Sequence, residues 1–229
     1  LYGCAPYDLF TLLGIKTCIY DEIHSDFHFN VTSLCYLDPD DIIGLSGSLE
    51  TTDPFIQRMY QSMFPRRSTY ADTFTKKYIK VYPMSYGIDN PFKIRTQEWG
   101  STTYSHIAFE KSIRQKHYRL DQYLKIIDDA SSLLYFKDYI KGDKYGIYAS
   151  TIDMCNEIVK HLRKKHRDLK IMKYTSGDSY DELMQCDIYV STIGKSGTAL
   201  DIPGLRAILL TIAIDSVQAN IQLPGRLRE

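Results

Sequence analysis

From residue 145 to residue 212 the chain keeps switching between short apolar runs and helical periodicity, and this alternation restricts the fold more than any other feature. Residues 145–149 read as a strand. Ser150-Thr151, with Asp153 three residues after Ser150, reads as a cap for a helix that buries Met154, Ile158, Val159 and Leu162. Residues 169–174 form the next strand, 179–185 a short helix, 187–191 another strand, and 206–212 a last apolar run. Strands separated by helices need crossover connections, and crossovers make parallel sheets. The expected class is α/β, as two domains with parallel sheets.

The first part of the chain follows the same logic less regularly. The run Thr17-Cys18-Ile19-Tyr20 ends in Asp21-Glu22-Ile23-His24 and reads as a buried strand with two carboxylates at its carboxyl end. Residues 7–13 suit a short helix. Asp38-Pro39-Asp40-Asp41 is a turn signal before a second apolar strand, 42–49. Asp53-Pro54 opens an amphipathic helix to residue 64, whose Phe55, Ile56, Met59, Tyr60 and Met63 share one face. The polar stretch 65–77 marks a boundary, so domains of 1–77 and 78–229 are expected. Residues 80–86 read as a strand pushed to a sheet edge by Pro83, and residues 102–140 carry helical periodicity twice.

Composition narrows the function classes. Lysine and arginine together number 28, as do aspartate and glutamate, so bulk charge does not hold this chain on nucleic acid. The basic residues nevertheless cluster at Lys160, Arg163, Lys164, Lys165, His166 and Arg167. Five scattered cysteines without a CxxC pair read as reduced thiols rather than a disulfide frame or zinc site. No apolar run approaches the ~18 residues of a membrane span, so a soluble, cytoplasmic protein without membrane contact is expected.

Single motifs leave their chemistry open. An Asp-Glu pair after a strand is either a solvated turn or a site for a hydrated metal ion and an activated water. His24 and His28 are spaced as a metal pair, but no third ligand accompanies them. Gly194-Lys195-Ser196 follows a strand but lacks the G-x-x-x-x-G-K-S/T spacing of a phosphate loop. Arg226 and Arg228 are either surface charges or phosphate ligands.

Order ties the pieces together. Asp21-Glu22-Ile23-His24, Leu45-Ser46-Gly47-Ser48-Leu49, Tyr148-Ala149-Ser150, Ser191-Thr192-Ile193-Gly194 through Asp201-Ile202-Pro203, and Gln222-Leu223-Pro224-Gly225-Arg226 occur in sequence. The series resembles motifs II to VI of the superfamily 2 helicases of DExH type, most similar to viral, phage-encoded recombination helicases, from residue 17 to the end.

The resemblance implies two RecA-like domains acting with ATP and Mg²⁺ on single-stranded or branched nucleic acid, with DNA the expected form. It implies that Asp21 holds Mg²⁺ through water, Glu22 polarises the attacking water, and His24 links this site to Ser46. It places Ser150 and Thr192 on nucleic-acid phosphates and Gly197, Asp201 and Gln222 at the nucleotide. Arg226 and Arg228 are placed at the γ-phosphate. Here the chain departs from Q-x-x-G-R-x-x-R, because Glu229 holds the last arginine position and Arg228 sits one residue early. A phosphate-gripping lysine loop is absent from residues 1–229. The expectation is that it lies upstream and that the fragment alone does not hydrolyse ATP. Two other functions fit the same residues: a duplex DNA translocase that does not unwind, and a RecA-like nucleic-acid-binding module without ATPase activity.

Overall fold

A computed structural model describes residues 5, 8, 12–24, 26–37, 39–47, 51, 53–70, 79–193, 201–212, 214, 220 and 223–227. The protein is mixed α/β with parallel sheets, and it divides into two compact units. Unit one is Leu1–Asp72 with Ser216–Ile221; unit two is Thr73–Asp215 with Gln222–Glu229.

In unit one, β1 (Thr17–Tyr20) pairs in parallel with β2 (Asp41–Gly44), in the register Thr17↔Asp41 to Tyr20↔Gly44. Helix α1 (Phe27–Leu37) lies between them in sequence, as a parallel pair demands. Helix α2 (Pro54–Met63) starts where the sequence says it should. Asp53 caps it, its Oδ1 accepting the N–H of Phe55 at 2.8 Å and of Ile56 at 3.4 Å, and Pro54 fills the first turn, where no donor is needed. Ile23, Phe27 and Tyr60 form the buried core, with the Phe27 and Tyr60 rings edge to face at 4.5 Å.

Two expectations change here. The first strand is not buried: within β1 only Cys18 is enclosed, and Ile19, Ile42 and Ile43 are exposed. The buried cluster of Ile23, Phe27 and Tyr60 does not take in Ile19, Ile42 or Ile43, so packed side chains do not cover both faces of this sheet. Phe55 also leaves the core face of α2 and stacks on His28 instead.

In unit two the strand order is β4-β5-β3-β6, every neighbour parallel. The strands are β3 (Lys144–Ala149), β4 (Ile171–Tyr174), β5 (Ile188–Thr192) and β6 (Leu205–Leu210). Central β3 is buried from Tyr145 onward, as a strand covered on both faces must be. Its alternate residues serve different layers. Tyr145, Ile147 and Ala149 meet residues of α3 (His106–Arg114), α4 (His117–Leu134) and α5 (Ile152–Lys165), among them Phe109, Ile127, Met154 and Ile158. Tyr148 joins Tyr189, Ile202, Leu205 and Leu223 in the other layer, with Leu183 from the short α6 (Tyr180–Gln185).

The strand expected at 80–86 does not form. The segment has no regular secondary structure and pairs with no described strand, and a cavity of about 280 Å³ lined by Tyr82, Met84, Ile208 and Leu210 lies alongside it. Pro83 has no N–H to give a neighbouring strand.

Candidate functional site

The acidic turn after β1 is clamped on both sides by β2. Leu45 donates its N–H to Tyr20 O at 2.8 Å, and Ile23 donates to Leu45 O at 2.9 Å. Asp21 and Glu22 therefore bulge out of a continuing pair of strands. To make the bulge Glu22 adopts φ 48°, a left-handed conformation that costs a non-glycine residue ~1–2 kcal/mol. Such strain persists where the surroundings over-determine it, and it accumulates at functional positions.

The bulge directs the side chains to one end of the sheet. Asp21 is exposed, and its Oδ1 accepts the N–H of Glu22 at 3.0 Å. His24 is nearly enclosed, and its Nδ1 shares a hydrogen bond with Ser46 Oγ at 2.7 Å. The same Nδ1 lies 3.2 Å from Glu22 Oε2, a buried oxygen that accepts no hydrogen bond. The shorter contact, to Ser46, is the one with hydrogen-bond geometry. Asp21, Glu22, His24 and Ser46 thus converge at the carboxyl end of β1 and β2, where open α/β sheets carry their sites.

The donor set suits a hydrated divalent cation better than direct ligation. Among the described residues no group of three or more His, Cys, Asp or Glu side chains could hold a metal. The exposed carboxylate of Asp21 beside the partly exposed side chain of Glu22 matches the needs of Mg²⁺, which keeps most of its waters.

In unit two the expected residues fall in two places. Ser150 and Thr192 follow or end adjacent strands, since Ala149 pairs with Thr192, so both lie at the carboxyl edge of the sheet. Arg226 lies in the turn Pro224–Arg226 and is buried. Its guanidinium acts on Tyr189, whose phenol is pushed well above its ordinary value by burial, with Arg226 opposing that rise. Asp201 is exposed, and its carbonyl accepts the Tyr180 hydroxyl at 2.6 Å. Gly197, Gln222 and Arg228 lie outside the described residues, as do Gly194-Lys195-Ser196.

One residue missed by sequence reasoning alters the Ser150 corner. The carboxylate of Glu110, on α3, is fully buried against the start of α5. Its Oε1 accepts the N–H of Ser150 at 2.7 Å; its Oε2 accepts the N–H of Thr151 at 2.8 Å and the Thr151 hydroxyl at 2.6 Å. Thr151, rather than Ser150, is the helix cap, and its Oγ1 accepts the Met154 N–H at 3.1 Å. An anion already sits where a helix amino terminus would hold a phosphate. Of the groups expected to meet phosphate at this corner, the Ser150 hydroxyl is the one Glu110 leaves untouched.

Burial raises the Glu110 carboxyl above its ordinary value, and the three donors pull it back. His106, one turn earlier, is lowered to about 4 by burial; its Nε2 lies 3.7 Å from Glu110 Oε1 and has no hydrogen-bond partner. The sequence did hold a signal for this cluster. Glu110 lies between Phe109 and Ile113 on the stripe 106, 109, 110, 113, and a charge on an apolar stripe needs a partner.

No protein-family model matches the chain, and no curated protein matches it. Among solved structures, the crystal structure of the Pyrococcus furiosus Hef helicase domain is similar, with a TM-score of 0.33 and 19% identity. The similarity covers 53% of this chain and 26% of that chain, so it spans about a quarter of the other protein's length. Among the described residues no helix is long and apolar enough to cross a membrane.

Proposed function

We propose that this chain carries the motif II to motif VI region of an ATP-dependent nucleic-acid helicase of DExH type, acting on single-stranded or branched DNA. Residues 1–77 and 78–229 are then parts of two RecA-like domains. The observation that supports this reading most is the 2.7 Å hydrogen bond between His24 and Ser46. Those two residues stand 22 apart in sequence, and the motif order pairs them.

In this reading Glu22 orients and polarises the water that attacks the γ-phosphate. Its left-handed turn aims the carboxylate, and His24 sits against one oxygen of it. Asp21 would hold a hydrated Mg²⁺, which would supply neutralisation of phosphate charge. His24 passes the state of this turn to Ser46 and so to the end of β2. Thr192 and the Ser150 hydroxyl contact the nucleic-acid backbone. Gly197, Asp201 and Gln222 serve the nucleotide, and Arg226, with Arg228, stabilises charge on the γ-phosphate.

A strand-displacement assay with the intact protein, ATP and a forked DNA tests the proposal. Release of the displaced strand that depends on hydrolysis is expected. Hydrolysis without strand release would make the protein a duplex translocase, and binding without hydrolysis would reduce it to a binding module.

A further inference from the structure

Between residue 89 and α3 the chain makes an excursion that none of the helicase-like motifs uses. It is braced along its length. Ile94 packs on the core of unit two, and Arg95 donates its N–H to Oγ of buried Ser112 at 2.9 Å. Arg95 Nε donates to Gln97 O at 2.9 Å, Gln97 Nε2 donates to Thr102 O at 2.8 Å, and Ser105 N donates to Thr96 O at 2.7 Å. Gly100, at φ 78°, supplies the left-handed residue the tip needs.

This braced loop holds its aromatic rings out in solvent. Trp99 is 92% exposed and Phe92 wholly so. Large exposed rings on an ordered loop are out of place in a surface that serves only solubility. The charges beside them have one predominant sign. The Arg95 guanidinium sits 5.8 Å from the Trp99 ring centroid, and Lys93, Arg95 and Lys111 line a pocket of about 500 Å³ with Trp99. Glu98, the one acid lining that pocket, accepts the Ser105 hydroxyl at 3.3 Å.

We infer that the 89–105 loop is a stacking platform for single-stranded nucleic acid. A base stacks on Trp99, and the adjacent phosphates pair with Lys93, Arg95 and Lys111. Rings supply sequence-tolerant contact because every base has a π face, and cations supply the backbone term. An acidic protein partner would meet the same ring and cations, and it would leave both oligomers of the titration unbound. The inference rests on the nucleic-acid reading proposed above and adds to it a contact outside the helicase-like motifs.

Trp99 is the chain's single tryptophan, so its emission reports on this loop alone. The chain is titrated with fluorescein-labelled deoxythymidylate and uridylate oligomers of about twelve nucleotides, reading anisotropy and tryptophan emission together. Saturable quenching that follows the anisotropy is expected. Trp99→Ala should weaken binding about 5- to 150-fold, the range of one stacked base, while Trp99→Phe keeps most of the affinity. Lys111→Gln should flatten the salt dependence. The two oligomers separate DNA from RNA as the ligand.

If anisotropy rises while emission stays constant and Trp99→Ala binds like the wild type, the platform is wrong and the nucleic-acid reading survives. If neither oligomer binds, both fall together. Emission that shifts with protein concentration alone, without oligomer, would show a second copy covering the loop and would also overturn the inference.

Discussion

Replacing Glu110 with alanine should be among the most damaging single changes in unit two. Its carboxylate takes three hydrogen bonds from the first residues of α5, and its side chain is fully buried. Alanine leaves two backbone N–H groups and a hydroxyl without their acceptor, and each orphaned group costs about 1–3 kcal/mol. The positive end of α5 also loses its counter-charge, worth up to about 2 kcal/mol. The desolvation that raises the carboxyl is relieved at the same time, which offsets part of the loss. The net expectation is a loss of about 3–4 kcal/mol, near the range for breaking a buried charged pair. Glu110→Gln keeps one acceptor oxygen but turns an amide NH₂ toward a donor, so about 2 kcal/mol is expected. Urea unfolding followed by far-UV circular dichroism and by the near-UV signal of the buried Tyr123, Tyr145 and Tyr189 reads the transition of unit two. A midpoint shift at unchanged slope gives the difference. A loss below about 1 kcal/mol for Glu110→Ala would refute the claim that this carboxylate holds α3 and α5 together.

His106 is neutral in the folded protein down to about pH 4, whereas its unfolded form takes a proton near 6.5. Stability should therefore fall as pH drops from 6.5 toward 4, by about 2 kcal/mol after allowing for partial solvent screening, and His106→Gln should flatten that slope in a urea-midpoint series. Gly146→Ala would place a Cβ 2.5 Å from the Tyr189 hydroxyl on the neighbouring strand, so a loss of about 1–3 kcal/mol is expected; an unchanged midpoint would count against this packing. Ser46→Ala removes the partner of His24 Nδ1 and should uncouple ATP turnover from stimulation by nucleic acid in the intact protein, leaving basal hydrolysis within about tenfold. Stimulation equal to that of the wild type would contradict the coupling role.

What could be read in advance divides along physical lines. Local chemistry was legible. Asp53-Pro54 announced α2, the alternation after residue 145 announced the parallel sheet, and Ser150-Thr151 announced α5 to within one residue. These signals act over three or four residues, and the sequence prints them directly. Long-range pairing was not legible. Residues 80–86 have the composition of a strand, but among the described residues no strand pairs with them. The exposure of β1 depends on which elements pack on its faces. The convergence of Glu22, His24 and Ser46 was expected from motif order, yet the left-handed turn that aims Glu22 leaves no trace in the sequence. The basic residues at 160–167 cluster in the sequence without showing what they meet. In the fold, His161 and Lys165 both contact Asp128, Arg163 donates to Ile171 O, and His166 stacks on Phe136. Two of the five lysines and arginines, Arg163 and Lys165, therefore join α5 to its neighbours.

The central claim is that the turn after β1 activates water for ATP hydrolysis. It is tested most directly by steady-state ATP turnover of the intact protein with and without single-stranded DNA, comparing the wild type with Glu22→Gln. The account predicts that the variant still binds ATP and DNA but loses turnover by about 100-fold or more, the contribution of a positioned general base. Turnover by Glu22→Gln near the wild-type rate would contradict it.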